Sequence, residues 1–214
     1  MKIIEGNYHR PLWAVQNVSA LSTTRCHPLS DNSVGGVYGG FNIGMHVGDN
    51  VVNVQNNRDT LAQLLPKNNK IQWLEQVHGS DVTLVQQHSE LAIVADAAIT
   101  QVKGLSLAVM TADCLPILLA AGDGSEIAVI HGGWRSLASN IIAKTLSKML
   151  TCTDDVFAWF GPCLSANYFE VGDDVRMAFV QQSSDFSSAF IKQPTGKYLA
   201  NLHLIAQLQL QAIG

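Results

Sequence analysis

Three side chains that commonly bind metals or act as nucleophiles each follow an apolar stretch of this sequence. His78 comes after IQWLEQV, Cys114 after LAVMTAD and His131 after IAVI. They are too far apart in the chain to form a local metal-binding loop, but neighbouring strands of one sheet could bring them together. Two neutral imidazoles and a thiolate would hold zinc with a fourth position open, and an open position indicates chemistry rather than a structural role.

Other interpretations of these residues stay open. A cysteine or histidine at the end of a strand is often only a buried core residue. Cys114 could instead be a hydrolase nucleophile with His78 or His131 as its base, and Asp113 would then orient that base. Two histidines and a cysteine with a weak axial methionine form a blue-copper site, and Met110 lies nearby in the sequence.

A second chemical signal is the segment HGGWRS at residues 131–136. Two glycines before the start of a helix would leave backbone N–H groups facing an anion such as phosphate, and Arg135 could supplement them. The alternative is a turn that only connects a strand to a helix. Polar residues of the early loop could line the mouth of a pocket, or could only be solvated: Arg25, Asn42, His46, Asp49 and Arg58.

The strands and helices that would position these groups can be predicted from the sequence, and their order is typical of an α+β chain in which helices cover a mixed sheet. Hydrophobic periodicity predicts strands at residues 71–77, 82–85, 92–99, 105–110, 127–130 and 156–160. It predicts helices at residues 53–65, from a cap at Ser136 to about residue 150, and at residues 173–182 and 199–209. Residues 17–50, with four glycines between residues 32 and 40, are expected to form a long surface loop.

Composition limits the class of protein. The 214 residues are 47% hydrophobic and 14% charged with a net charge of −4, which predicts one globular domain over residues 1–214. No basic run is present to bind nucleic acid, and Asp113 interrupts the most apolar stretch, so we expect neither a nucleic-acid nor a membrane partner. Four cysteines without CxxC spacing and the lack of a signal-like start favour free thiols and a cytoplasmic location.

Longer segments of the chain match those of a known family. The chain resembles the bacterial YfiH-like proteins, also called the laccase-domain or multicopper polyphenol oxidase family. The segments that carry the resemblance are TTR at 23–25, FNIGMHVGDN at 41–50, NNR at 56–58, WLEQVHGSDV at 73–82, AD at 95–96, VMTADCLPILL at 109–119, VIHGGWRSL at 129–137, and AWFGPCL and FEVGDDV between 158 and 175.

The resemblance implies a YfiH-type sandwich of mixed sheet and helices, with zinc bound by His78, Cys114 and His131. It implies a purine nucleoside phosphorylase that cleaves adenosine, inosine and methylthioadenosine with phosphate to the free base and ribose 1-phosphate, with adenosine deamination as a further activity. Copper-dependent polyphenol oxidation is the alternative. A laccase also needs a trinuclear centre built from His-x-His pairs, and none of the seven histidines forms such a pair.

Roles for the remaining residues follow from the resemblance and from the reaction. Phosphorolysis needs phosphate held beside the sugar and charge stabilised on the sugar and the departing base. We assign catalytic roles to Asp113 and Arg58, and contacts to substrate or phosphate to Arg25, Asn42 and Arg135. The partners expected are a purine nucleoside and phosphate, with no obligate protein partner.

The sequence departs from the family pattern in two places. TRCHPLS at residues 24–30 replaces the usual TRxGGVS, and HGGWRS replaces HAGWRG. Family members generally continue past the position of Gly214 through a Cys-Thr segment and an arginine-bearing stretch. We therefore expect this chain to lack the usual C-terminal segment, and with it any arginines that complete the pocket.

Overall fold

The computed structural model describes residues 6–30 and 36–214, so part of the predicted glycine-rich loop lies outside the described residues. The strands are β1 (Tyr8–His9), β2 (Ser22–Thr23), β3 (Lys70–Gln72), β4 (Leu74–Glu75), β5 (Val82–Leu84), β6 (Ile93–Val94), β7 (Ala97–Thr100), β8 (Leu105–Leu107), β9 (Leu115–Ala121), β10 (Ile127–Gly132), β11 (Val156–Phe160), β12 (Glu170–Val171), β13 (Phe190–Lys192) and β14 (Tyr198–Ala200). The helices are α1 (Val51–Gln63), α2 (Trp134–Ala138), α3 (Ile141–Leu146), α4 (Asp173–Val180) and α5 (Leu202–Gln211), with 3-10 turns at Thr153–Asp155 and Ser184–Ala189.

A five-stranded mixed sheet in the order β11-β9-β10-β7-β5 forms the centre of the fold. β5 runs parallel to β7, and the other three neighbouring pairs are antiparallel. Smaller sheets surround it: β1 with β2, β3 with β8, β4 with β6, and β12-β14-β13. This arrangement confirms the predicted α+β class with a mixed sheet.

Both faces of the central sheet are buried, which explains why its strands read as continuous apolar runs rather than alternating ones. In β9, Ile117 and Leu119 pack in a cluster with residues of helices α2 to α5. Their neighbour Leu118 faces the other way and packs with Leu74 and Leu105 of the short parallel pairs. The two clusters together fix the register of the central strands, because a slip of one residue would exchange the faces.

Several predicted strands are shorter than the apolar runs that predicted them. The run at residues 71–77 divides into β3 and β4, and the run at 92–99 divides into β6 and β7 around Asp96. The run at 105–110 ends as a strand at Leu107, and β9 begins only after Cys114. The prediction for β11 is confirmed at both ends, whereas β10 extends two residues further, to Gly132.

The predicted helix from Ser136 to about residue 150 is wrong, because two helices occupy this region. Gly133 precedes α2, and Ser136 lies fully buried inside that helix rather than at its cap. The chain breaks at Asn140, whose φ of 59° is left-handed, before α3 begins. The side-chain amide of Gln209 donates to the carbonyl of Leu137 at 2.7 Å and contacts Asn140 Oδ1 at 3.5 Å, which satisfies the end of α2.

The other helix predictions are confirmed in place but not in every boundary. α1 begins two residues early because Asn50 caps it, accepting from the backbone N–H groups of Val52 and Asn53. The predicted start of the last helix at residue 199 is wrong, since residues 198–200 form β14 and Asn201 caps α5. Over the described ranges, no helix has the length and apolar character needed to cross a membrane. All four cysteines are free.

The left-handed backbone at Asn140 gives a test of the break between α2 and α3. We expect Asn140→Ala to lower the free energy of unfolding by about 1 kcal/mol, because a β-carbon without a compensating polar group disfavours this conformation. Asn140→Gly should stay within about 0.5 kcal/mol of the wild type, since glycine adopts it freely. Urea unfolding followed by circular dichroism measures both. Equal losses in the two variants would instead assign the effect to the lost contact with Gln209.

Candidate metal centre

The sheet brings the three predicted ligands together at one edge of the ladder between β9 and β10. His131 lies within β10 and pairs with Pro116, and Gly132 pairs with Leu115. Cys114 therefore enters β9 beside the end of β10. His78 lies in the turn between β4 and β5. The prediction that all three follow strands is wrong, because Cys114 precedes β9 and His131 lies within β10. Since β9 and β10 are antiparallel, the start of β9 meets the end of β10, and the two side chains still come together.

The geometry of the three side chains suits a metal ion. One ligand atom from each of His78, Cys114 and His131 lies within 4.8 Å of the others. The two imidazole rings meet edge to face with centroids 4.7 Å apart. A β-carbon on Gly133 would lie 3.3 Å from Cys114 Sγ, 3.3 Å from His78 Cδ2 and 3.8 Å from His131 Cε1, so glycine keeps the space beside all three open. This donor set fits a tetrahedral ion with one position left for another molecule.

Asp96, which sequence reasoning did not assign to the site, holds two of the three ligands. Its side chain is fully buried and accepts four hydrogen bonds. Oδ2 accepts from the backbone N–H groups of Val77 at 3.2 Å and Gly79 at 2.6 Å. Oδ1 accepts from the backbone N–H of His78 at 3.0 Å and from Nδ1 of His131 at 2.8 Å. One carboxylate therefore fixes both the turn that carries His78 and the ring of His131.

These contacts explain two local features of the site. The φ of His78 is 58°, a left-handed conformation that lets three successive N–H groups point at one carboxylate. Because Asp96 can only accept, Nδ1 of His131 carries the proton, and Nε2 keeps its lone pair for a metal. The signal available in the sequence was a lone carboxylate inside the apolar segment AIVADAAIT.

The electrostatics of the site favour a metal ligand over a cysteine nucleophile. Burial raises the pKa of the Cys114 thiol, and the negative charges of Asp113 and Asp96 raise it further. Burial lowers the pKa of His131, an effect that the bond to Asp96 opposes and the neighbouring His78 reinforces. A hydrolase of the kind considered above would need a lowered thiol pKa. The orienting carboxylate is also Asp96 rather than Asp113.

A second cysteine and histidine lie close together but do not form a reactive pair. Cys163 Sγ lies 3.5 Å from Nδ1 of His203, whose Nε2 lies 3.2 Å from the carbonyl oxygen of Gly161. Burial, with a contribution from the charge of Cys114, raises the pKa of Cys163 to about 11. The thiol is therefore protonated at neutral pH and makes a poor nucleophile.

A cavity of about 1110 Å³ is lined by Asp113, the residue before Cys114, but by none of the three candidate metal ligands. The residues from Met110 to Asp113 line it, whereas the next residue, Cys114, turns toward the histidines. Asp113 has a φ of 88°, and this left-handed residue separates the two environments. Arg25 is the only lysine or arginine, and Asp113 the only carboxylate, among the described residues that line the cavity. Most of the remaining lining is apolar.

The other predicted substrate residues differ in their placement. Asn42 lines the cavity, but its amide already bonds with the backbone of Gly44 and with Asp49 Oδ2 at 2.9 Å. Arg135 packs over the ring of Trp134 on the exposed side of α2 and is not part of the described lining. A direct role of Arg135 in phosphate binding stays a prediction.

Arg58 also lies outside the described lining of the cavity and is engaged in packing. Its Nε donates to the carbonyl of Ile43 at 2.8 Å, and its guanidinium stacks over Trp73 at 3.8 Å. Nη2 lies 3.6 Å from Sδ of Met110. That contact turns the methionine sulfur toward Arg58, which disfavours Met110 as an axial copper ligand. A catalytic role of Arg58 stays a prediction.

Comparison with known proteins identifies the family of this chain. Residues 19–214 match the family model described as multi-copper polyphenol oxidoreductase laccase. The chain belongs to this laccase family. It is 38% identical to a protein named purine nucleoside phosphorylase YfiH from Escherichia coli strain K12, over 100% of this chain and 84% of that protein. It is 41% identical to a purine nucleoside phosphorylase from Xylella fastidiosa strain 9a5c, over 78% of this chain and 66% of that protein.

Solved structures of related proteins share the fold. The Neisseria meningitidis protein NMB0706 superposes with a TM-score of 0.89 at 35% identity, over 97% of this chain and 84% of that one. A Bacillus licheniformis protein titled YfiH superposes with a TM-score of 0.81 at 24% identity, over 92% and 78% of the two chains, which bears on the fold alone. The resemblance to YfiH-like proteins and the fold it implies are confirmed. In this laccase-family chain, the described residues provide one cluster of three metal-binding side chains.

The position of Asp96 predicts that it contributes to metal binding without touching the metal. Asp96→Asn keeps the shape but places an amide NH₂ against backbone N–H groups that need an acceptor. We expect the dissociation constant for zinc to rise roughly 10- to 100-fold. Competition with a chromophoric chelator measures the change.

Glu126→Gln is the matched control, because Glu126 is another buried carboxylate, 1% exposed. It accepts from the backbone N–H groups of Leu150 and Thr151, from the Thr151 hydroxyl and from the Gln101 amide. This variant should lose thermal stability but bind zinc as the wild type does. Equal weakening of zinc binding in both variants would contradict a specific role for Asp96.

The raised pKa of Cys114 predicts that metal binding tightens as the pH rises. In the metal-free protein the thiol is protonated, and binding must displace that proton, whereas ordinary imidazoles are already neutral above about pH 7. We expect the dissociation constant for zinc to fall about tenfold per pH unit between about pH 7 and about pH 8.5. In Cys114→Ser the affinity should be lower and the dependence flatter. A flat profile in the wild type would show that the thiol is not a ligand.

Proposed function

We propose that this laccase-family chain is a zinc-dependent purine nucleoside phosphorylase. It would cleave adenosine, inosine and methylthioadenosine with phosphate to the free base and ribose 1-phosphate, in the cytoplasm. The observation that carries the proposal is the convergence of two imidazoles and one thiol, one of them directly after a segment that lines a large cavity together with Arg25. The names of the relatives supply the reaction class.

Arg25 is the residue of this chain best suited to hold phosphate. Arg25 lines the cavity, and within residues 6–30 and 36–214 its guanidinium makes one long contact, 3.4 Å from Nη2 to the carbonyl oxygen of Gly36. A guanidinium with most of its donors free can bind two phosphate oxygens at once. Phosphate held there would lie in the same cavity as the nucleoside, which is the proximity that phosphorolysis requires.

Asp113 is suited to handle a proton or a hydroxyl group of the substrate. Its carboxylate lines the cavity, while its neighbour Cys114 belongs to the metal cluster. A group bound beside Asp113 would contact the segment that carries Cys114. A negative charge at this point would stabilise the positive charge that develops on the ribose as the base departs.

His78, Cys114 and His131 would hold the zinc ion. Bound there, zinc would supply a Lewis acid with an open fourth position, which both phosphorolysis and the deamination of adenosine can use. Asp96 would keep the imidazole of His131 in the tautomer that binds metal, and Gly133 would keep the approach free of side chains. Asn42 and Arg58 would shape the cavity by holding the loop that includes Ile43 and Gly44.

Copper-dependent oxidation of phenols, which the family description names, has less support from these residues. A copper site of the blue type commonly has a methionine sulfur in the axial position, and Met110 Sδ is turned to Arg58. A laccase needs further copper ligands in His-x-His pairs, and the seven histidines form none. The cluster of three remains able to bind a copper ion in place of zinc.

The proposal predicts that release of hypoxanthine from inosine depends on phosphate. We expect turnover in phosphate buffer, little or none in a buffer without phosphate, and ribose 1-phosphate formed in an amount equal to the base. Cys114→Ser should lower the rate by at least about 100-fold, because it removes a ligand rather than an outer partner. Chromatography of the base and the sugar phosphate measures both products.

Cys152→Ser is the control for the loss of a thiol, since Cys152 is exposed and free and is not part of the metal cluster. It should react as the wild type does. Base release that ignores phosphate would contradict phosphorolysis, and a Cys114→Ser variant with wild-type activity would contradict the role of the metal centre. Adenosine incubated in the same assay would reveal deamination as inosine formed without release of the base.

A further inference from the structure

We propose that Gln76 is a positioning residue that ties the segment carrying Cys114 to the turn carrying His78. The inference rests on the metal centre of the proposed function. Its starting observation is a pair of hydrogen bonds between one side chain and the main chain of one residue. The N–H of Met110 donates to Gln76 Oε1 at 2.7 Å, and Gln76 Nε2 donates to the carbonyl of Met110 at 2.8 Å.

The two ends of this tether lie close to two different ligands. Gln76 precedes His78 by two residues, and Met110 precedes Cys114 by four. Asp96 cannot replace the tether, because its four hydrogen bonds go to the turn at residues 77–79 and to His131. The pairing of Leu115 with Gly132 holds Cys114 on its C-terminal side, and the amide of Gln76 provides a connection on its N-terminal side.

The segment between β8 and β9 depends on a small number of anchors. At its start, the N–H of Ala108 donates to the carbonyl of Gln72 at 3.2 Å, which extends the pairing of β3 with β8. At its end, the carbonyl of Asp113 accepts from the N–H of Leu164 at 2.9 Å. Between these points Thr111, Ala112 and Asp113 are exposed. The bonds from Gln76 to Met110 hold the middle of the segment.

Glutamine is the residue type that suits position 76. A planar amide offers one acceptor and one donor side by side, and so pairs with a peptide group as a neighbouring strand would. Glutamate has the same shape but would place a carboxylate oxygen against the carbonyl of Met110. Asparagine is one methylene shorter. The side chain of Met110 is held as well, because Arg58 Nη2 lies 3.6 Å from its sulfur.

The test uses the whole protein and cobalt(II) as a probe ion, because cobalt bound to a thiolate has a visible charge-transfer band. We expect Gln76→Glu and Gln76→Ala to raise the dissociation constant for cobalt about tenfold and to weaken that band. In the metal-free variants the amide of Met110 should exchange with solvent at least about tenfold faster, because its acceptor is lost or displaced.

Gln72→Glu is the matched control. Gln72 is a fully buried glutamine whose side-chain amide also bonds to backbone, donating to Trp73 and Leu91 and accepting from Ser89. The bond from Ala108 uses the main-chain carbonyl of Gln72, which the substitution keeps. This variant should unfold at a lower temperature and bind cobalt within about twofold of the wild type. If Gln76→Ala does not fold, the isosteric Gln76→Glu still decides the result.

The inference is overturned if both Gln76 variants bind cobalt with the affinity and band of the wild type, if Gln72→Glu weakens binding equally, or if the wild type binds no cobalt. The phosphate-dependent release of base is measured separately. A wild type that binds cobalt but releases no base would remove the proposed function and leave the tether standing. Phosphate-dependent release of base by the wild type, with unchanged cobalt binding in the Gln76 variants, would support the proposed function and remove the tether.

Discussion

The buried carboxylate of Asp96 is the interaction on which the geometry of the metal centre depends. A carboxylate without partners in a dry interior costs several kcal/mol, so the chain folds stably only when the groups around Asp96 satisfy it. Those groups are three backbone N–H groups of one turn and the ring of His131. The left-handed backbone of His78 is therefore a condition of folding, and two ligands are oriented before any metal arrives.

The location of that carboxylate depends in turn on the register of the central sheet. Ile130 pairs with Ala97, so Asp96 lies beside His131, and Gly132 pairs with Leu115, so Cys114 lies beside them both. The register is enforced far from the site, by apolar residues that alternate between two separate clusters. Stability and ligand geometry are thus coupled. A core substitution that lets β10 slip would remove His131 from the centre even though no ligand has changed.

The sequence predicted what depends on residue type and local pattern, and missed what depends on contacts between distant residues. The three candidate metal ligands were singled out because histidine and cysteine are reactive and these three follow apolar stretches, and the structure brings them together. Asp96 and Gln76 were missed because their partners lie 35 and 34 residues away, and no local spacing reports such bonds. The break at Asn140 was missed for a similar reason, since the apolar stripe continues through it and the residue that completes the end of α2 is Gln209.

The family description names a laccase and the relatives are named phosphorylases, and these two reactions require different groups in the active site. Reduction of dioxygen by a laccase needs several copper ions that share electrons, and hence many ligands close together. Phosphorolysis moves no electrons to an acceptor; it needs phosphate held beside the sugar and charge stabilised on the sugar and the departing base, to which one Lewis acid can contribute. The described residues gather two imidazoles and a thiol in one cluster, and Arg25 and Asp113 line a cavity that ends at the residue before Cys114. The raised pKa of the Cys114 thiol suits a ligand whose thiolate a bound metal would stabilise better than it suits a nucleophile.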